Sequence, residues 1–188
     1  MTHWQDLTFH TIDLTRDADR AVAFRRDAYR VVAGSGERFD GVIGEKAYLK
    51  WLDNRIRRSP LGQVHVWLGE EIIGQIEARP QRNVRDRGFV NLYYLAPRWR
   101  GRGLGCALDA YATAYFDSLG VTNLSLNVME TNQRAYRFYL KQGWKSCGPT
   151  PGVHGNIRME RYLSGASSAL SSKCNQVGST GIMTTTQI

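Results

Sequence analysis

No stretch of the 188 residues approaches the roughly 18 consecutive apolar positions that a membrane-spanning helix needs. The opening MTHWQDLTFHTIDL has no basic patch followed by an apolar run. Neither a secretory leader nor a membrane partner is therefore expected, and the expected location is the cytoplasm. Cysteine is scarce: Cys106, Cys147 and Cys174 are odd in number, far apart and include no CxxC pair. A disulfide framework and a zinc site are both disfavoured, and no metal is expected. Runs of five like charges and internal repeats are also missing. The net charge of +8 is thus not gathered into a stripe of the kind that tracks nucleic acid, and nucleic acid is not the expected partner.

What the sequence does have is core material. With 42% hydrophobic residues, 11% aromatic residues and five tryptophans, a chain of this length can fill one compact domain. We assign that domain to residues 1–163. Residues 164–188 hold six serines, four threonines and a single charge, Lys173, and read as a flexible tail or as an added sheet-edge strand over Ile182–Ile188. The excess of positive charge is uneven. Residues 1–90 carry 15 basic against 13 acidic side chains, and residues 91–188 carry 10 against 4. The densest basic cluster, Arg98, Arg100 and Arg102, sits among glycines, which suits a local phosphate site.

Hydrophobic spacing and turn residues predict the elements. A strand over 8–14 leads to a helix capped by Thr15 and ending near Gly34, and a second helix spans Glu45–Arg58. Strands follow over Gln63–Leu68, Glu71–Arg79 and Phe89–Leu95, then a helix over Leu104–Leu119 stopped by Gly120. A strand Asn123–Met129, a helix Asn132–Lys141 and strands Trp144–Cys147 and Ile157–Leu163 complete a mixed α/β domain.

Strand, glycine turn and helix meet at Arg100-Gly101-Arg102-Gly103-Leu104-Gly105. Glycines there let the backbone turn sharply and leave N–H groups facing open space, where the positive end of the helix suits an anion. The alternative is a tight turn with solvated arginines. This segment matches the R/Q-x-x-G-x-G/A motif of the GNAT superfamily of N-acetyltransferases. Downstream, Asn132-Gln133-Arg134-Ala135-Tyr136-Arg137-Phe138-Tyr139-Leu140-Lys141-Gln142-Gly143-Trp144 resembles that family's N-x-x-A-x-x-x-Y-x-K-x-G-F/W segment. Two motifs in register identify the chain as a member. Element order agrees over about residues 8–163, and close sequence agreement covers 89–147.

The resemblance implies a mixed, mostly antiparallel central sheet flanked by helices, with acetyl-coenzyme A as cosubstrate between two splayed strands. By that carry-over Leu95 pairs through its backbone with the pantetheine arm. Amides from Arg100, Gly101, Arg102, Gly103, Leu104 and Gly105 hold the pyrophosphate, and Asn132 contacts the arm. Tyr139 protonates the departing thiolate, unless it is an aromatic packed on the sheet, in which case Tyr136 is the substitute. Transfer also requires a neutral amine, hence a proton acceptor. Glu77, polar on a mostly apolar strand, is the first candidate, with an ion pair to Arg79 or another arginine as the competing reading. Asn91 is a candidate to orient water or the amine, and His154 borders the same region or is merely solvated.

The resemblance places the acceptor wall in the helices of residues 16–58. Asp27, Glu37 and Asp40, with Glu77, are candidate carboxylates for a cationic acceptor such as an aminoglycoside-type antibiotic, or are ordinary charged surface. A small-molecule amine is the leading acceptor. A protein N-terminus or lysine, an aminoacyl-tRNA and a noncatalytic coenzyme A module are the rivals, and a homodimer stays open.

Overall fold

A computed structural model describes residues 6–33, 39, 44–82, 84 and 86–163. The tail from residue 164 lies outside the described residues, as do Glu37 and Asp40. Among the described residues seven strands form one sheet: β1 (Leu7–Thr11), β2 (Gln63–Leu68), β3 (Glu71–Pro80), β4 (Arg87–Leu95), β5 (Asn123–Met129), β6 (Lys145–Pro149) and β7 (Asn156–Tyr162). Their order across the sheet is β1-β2-β3-β4-β5-β7-β6. Every neighbouring pair is antiparallel except β4 and β5, which run parallel. Four helices, α1 (Leu14–Ala33), α2 (Glu45–Arg58), α3 (Gly105–Ser118) and α4 (Gln133–Lys141), flank it.

Alternation along the strands divides the core. Val64, Val66, Ile76, Val90, Tyr93, Leu124, Leu126 and Met159 face α3 and α4 and pack on Leu108, Ala112, Phe116 and Tyr139. On the opposite face Leu92 and Tyr94 meet Phe24 and Ala28 of α1. A second cluster there joins Ala21, Val22 and Tyr29 to Tyr48 and Leu52 of α2.

The elements agree with their expected positions within a few residues, and the departures have local causes. The first strand stops at Thr11, and α1 begins at Leu14. Asp13, not Thr15, caps α1: its carboxylate accepts the Thr15 amide at 2.9 Å and the Thr15 hydroxyl at 2.6 Å. Trp144 precedes β6 rather than opening it. Its indole is fully buried and donates to Asp109 at 3.2 Å.

Close packing fixes one glycine. A Cβ on Gly88 would lie 2.4 Å from Cε1 of Phe116, a fully buried ring. Gly88→Ala is therefore expected to cost about 1–3 kcal/mol by overpacking, read as a lower urea midpoint at unchanged m. Phe116→Leu should restore part of the loss, and a neutral Gly88→Ala would show that the ring can move.

Candidate functional site

The parallel pairing of β4 with β5 is short. It runs from Arg87↔Asn123 to Val90↔Leu126 and then ceases, although both strands continue. The cause is visible on β4. Glu77 faces Leu92 and Ala78 faces Val90, so Asn91 is an extra residue on β4, a bulge that bends the strand away from its neighbour. Beyond it Asn91–Leu95 and Asn127–Met129 no longer pair with each other, so the two strands part.

The glycine turn follows the parted end of β4 and leads into α3. Gly101 and Gly103 have φ of 80° and 79°, and a Cβ on Gly103 would meet nothing within 4 Å. Among backbone hydrogen bonds outside helices and strands, Arg100 N–H donates to Pro97 and Cys106 N–H to Gly103, with none donated between them. Leu104, which precedes α3, offers no side-chain cap. The amides of residues 101–105 thus form a cradle lacking backbone partners, as the sequence leads one to expect of an anion site.

The arginines differ from the expected phosphate cluster. Arg98 pairs with Glu71. Arg100 donates from Nε to the Leu95 carbonyl at 2.7 Å and from Nη2 to Asp27 at 2.6 Å. Of the three, Arg102 alone has no carboxylate partner among the described residues; it is exposed, with its Nε on the Arg98 carbonyl at 2.9 Å and its guanidinium over Trp99. A further cation, not singled out in the sequence, stands beside the turn: Nη2 of Arg134, in the first turn of α4, would lie 2.8 Å from a Cβ on Gly101. Its position two residues after Asn132 was the available signal.

Asn132 caps α4, its side-chain oxygen accepting the Ala135 amide at 3.1 Å, while its Nδ2 is buried without a partner. Tyr139 is fully buried, and its hydroxyl also has no partner. The ring packs beside Tyr93, centroids 6.2 Å apart, and Trp144, 5.8 Å. Burial, reinforced by the Asp109 carboxylate, pushes its phenol well above the usual range. Asp109 anchors this group, accepting from Trp144 and Tyr93 and from Arg161 at 2.5 Å. It was not singled out in the sequence, where it is one of two acids on α3, with Asp117. The two buried donors without partners, the Asn132 Nδ2 and the Tyr139 hydroxyl, with the amide cradle, fit the extended thioester and pyrophosphate that the resemblance implies.

On the α1–α2 face, Glu77 is fully buried against Arg25, also fully buried, at 3.0 Å. Its other oxygen accepts from the Tyr48 hydroxyl at 2.9 Å and the Gln75 amide at 2.8 Å. Burial, then Glu77, raises the Tyr48 phenol well above its usual value. The Gln75 Oε1 accepts from Nε2 of His65 at 3.2 Å, an imidazole whose pKa burial lowers to about 4 and which is therefore neutral near pH 7. The partner of Glu77 is thus Arg25 rather than Arg79. Arg25 also reaches the Asn91 carbonyl at 3.5 Å, tying the pair to the bulge.

Asp27 accepts from Tyr94 at 2.8 Å as well as from Arg100. It joins α1 to the glycine turn instead of standing open toward an acceptor. His154 is exposed, and Tyr136 is half-buried against the core. Among the described residues no group of three His, Cys, Asp or Glu is placed to hold a metal ion, and no helix is long and apolar enough to cross a membrane.

Comparison with known proteins agrees with this layout. An acetyltransferase from Thermus thermophilus superposes with a TM-score of 0.66 at 20% identity, covering 86% of this chain and 100% of that one. A ribosomal-protein-alanine N-acetyltransferase from Brucella melitensis gives 0.64 at 19%, with coverage of 83% and 99%. A Salmonella typhimurium protein solved with its cofactor acetyl-CoA gives 0.65 at 17%, with coverage of 88% and 99%. At such identities these likenesses establish the fold. No curated protein matches significantly. The family model for the acetyltransferase (GNAT) family matches residues 22–144, which run from within α1 through α2, the parting strands, the glycine turn and α4. The chain belongs to that family and is an acyltransferase.

Proposed function

We propose that this protein transfers the acetyl group of acetyl-coenzyme A directly to a primary amine of a small molecule. The observation that carries the reading is the opening between β4 and β5, which begins after Val90↔Leu126 and leads to the unpaired amides of the glycine turn. Acetyl-coenzyme A, bound there, supplies an activated acyl group on a thiol that leaves readily.

In this proposal the amides of residues 101–105 hold the pyrophosphate, with Arg102 and Arg134 adding positive charge. The Leu95 carbonyl, though it accepts from Arg100, has a second lone pair for the arm, and the Asn132 Nδ2 donates to the same arm. The neutral amine attacks the thioester carbonyl carbon from the α1–α2 face, giving a tetrahedral intermediate. Collapse breaks the carbon–sulfur bond, and the Tyr139 hydroxyl gives its proton to the thiolate. The ammonium proton leaves to water at the Asn91 bulge, with the buried Glu77 carboxylate behind it as the fixed negative charge of the site. Both oxygens of Glu77 are engaged, so it meets the proton only through such a relay.

Thiol release, followed over a panel of amines, tests the reaction. Tyr139→Phe should lower turnover by about 100-fold while acetyl-coenzyme A affinity, measured by calorimetry, stays within about twofold. Because the phenol ionises well above its usual range, wild-type turnover should show no basic limb from this residue up to pH about 10. Unchanged turnover in Tyr139→Phe would make the residue a core aromatic and nothing more.

A further inference from the structure

On the acceptor face, two strand residues beyond Glu77, the polar pattern changes sign. Arg79 follows Glu77 on the same side of β3, which is regular there because the bulge belongs to β4. It lies directly opposite Phe89, its guanidinium 5.3 Å from that ring. Phe89 in turn pairs with Ser125 of β5. From α2, Arg55 extends over Trp51, 5.4 Å from the ring.

Neither arginine makes an ion pair or a side-chain hydrogen bond among the described residues, and the Nε of Arg79 is buried with no partner. The neighbours do not compensate. Burial and then Arg55 hold Arg79 down to about 10, and burial and then Arg82 lower Arg55. The α2 carboxylate Asp53 is committed to Arg57 at 3.0 Å. Buried donors in native proteins are ordinarily satisfied, and half-buried cations gathered on aromatic faces without a counter-ion form a receptor for an anion.

Resting on the acetyl-transfer reading above, we propose that the acceptor amine carries an anionic group, a carboxylate or a phosphate, which docks on Arg79 and Arg55. The floor formed by Phe89 and Ser125 is continuous with the Asn91 bulge where the strands part. At about 3.3 Å per strand residue, the two steps from Phe89 to Asn91 set the anion about 7 Å from the reacting nitrogen. An α-amino acid is too short for this span, whereas a longer ω-amino acid or an aminoalkyl phosphate reaches it. The class is the reverse of a polycation. It agrees with Asp27 and Glu77, two of the carboxylates suggested for a cationic acceptor, being held by Arg100 and Arg25.

The experiment compares thiol release for ω-amino carboxylates from glycine upward, aminoalkyl phosphates, matched alkylamines and spermidine. The same anionic amines are also titrated calorimetrically onto the coenzyme A complex. The expected result is a kcat/KM about tenfold or more above that of the alkylamine, rising with chain length to an optimum. The carboxylate and phosphate arms identify the anion. Arg79→Gln and Arg55→Gln should each reduce this preference about tenfold through KM, and Arg79→Lys should retain part of it. Melting temperature should not fall in Arg79→Gln, since an unpaired cation is removed.

Equal or better use of alkylamines or spermidine overturns the inference and leaves acetyl transfer standing. Arginine-dependent binding of anionic amines without any turnover upholds the anion site and defeats the transfer reading instead. Binding that is indifferent to both substitutions overturns the anion site whatever the turnover.

Discussion

Glu77→Gln should destabilise the domain by about 3–5 kcal/mol, because it leaves the guanidinium of Arg25 fully buried beside a neutral amide. The loss should appear as a denaturant midpoint shifted downward at unchanged m. The pair, rather than either residue, is the unit: Arg25→Met combined with Glu77→Leu removes both charges and should recover most of the stability, a coupling well above that of independent sites. Residual activity then separates the roles of the carboxylate. If proton removal belongs to water at the Asn91 bulge, the acidic limb of the rate–pH profile in the folded fraction of Glu77→Gln stays at the wild-type pH, and only its height falls. A limb that disappears in a folded Glu77→Gln protein would make Glu77 itself the proton acceptor and return Arg25 to an accessory role.

Local signals explain why so much of this fold was legible. Val64, Val66 and Leu68 alternate with Gln63, His65 and Trp67, and Gly69-Glu70 closes a hairpin, so β2 and β3 were read from period and turn alone. The glycines at 101 and 103 marked a strand-to-helix turn, and both indeed have positive φ. What failed to show was chiefly what long-range contact settles, with one local exception. Thr15 has the residue type of a cap, yet Asp13 takes the position because its carboxylate reaches the Thr15 amide and hydroxyl together.

At the site the same division holds. An ion pair was a stated alternative for Glu77, but its partner lies 52 positions away on α1, a separation that no periodicity encodes. Arg98 and Arg100 looked like phosphate ligands because they neighbour the glycines. Their carboxylate partners, Glu71 and Asp27, come from another strand and another helix. The bulge at Asn91 likewise arises from register with β3 and has no marker on β4 itself, since neither glycine nor proline interrupts Phe89–Leu95.

Gly103→Trp should lower the affinity for acetyl-coenzyme A at least about 100-fold, the largest effect expected from a change that leaves the core untouched. The position is exposed, and a Cβ there meets nothing within 4 Å. The substitution therefore costs only the strain of a positive φ, about 1–2 kcal/mol, and the melting temperature should fall by a few degrees. The indole, however, occupies the space over the amide cradle where the pyrophosphate must approach. Arg100→Ala is the informative contrast. Its guanidinium is committed to Asp27 and the Leu95 carbonyl, so its loss should loosen α1 from the turn and change cofactor affinity by no more than about tenfold. Calorimetric titration of both proteins decides the matter. Near-wild-type binding by Gly103→Trp would place the pyrophosphate elsewhere, and a loss in Arg100→Ala equal to that in Gly103→Trp would make the guanidinium, not the amides, the principal ligand.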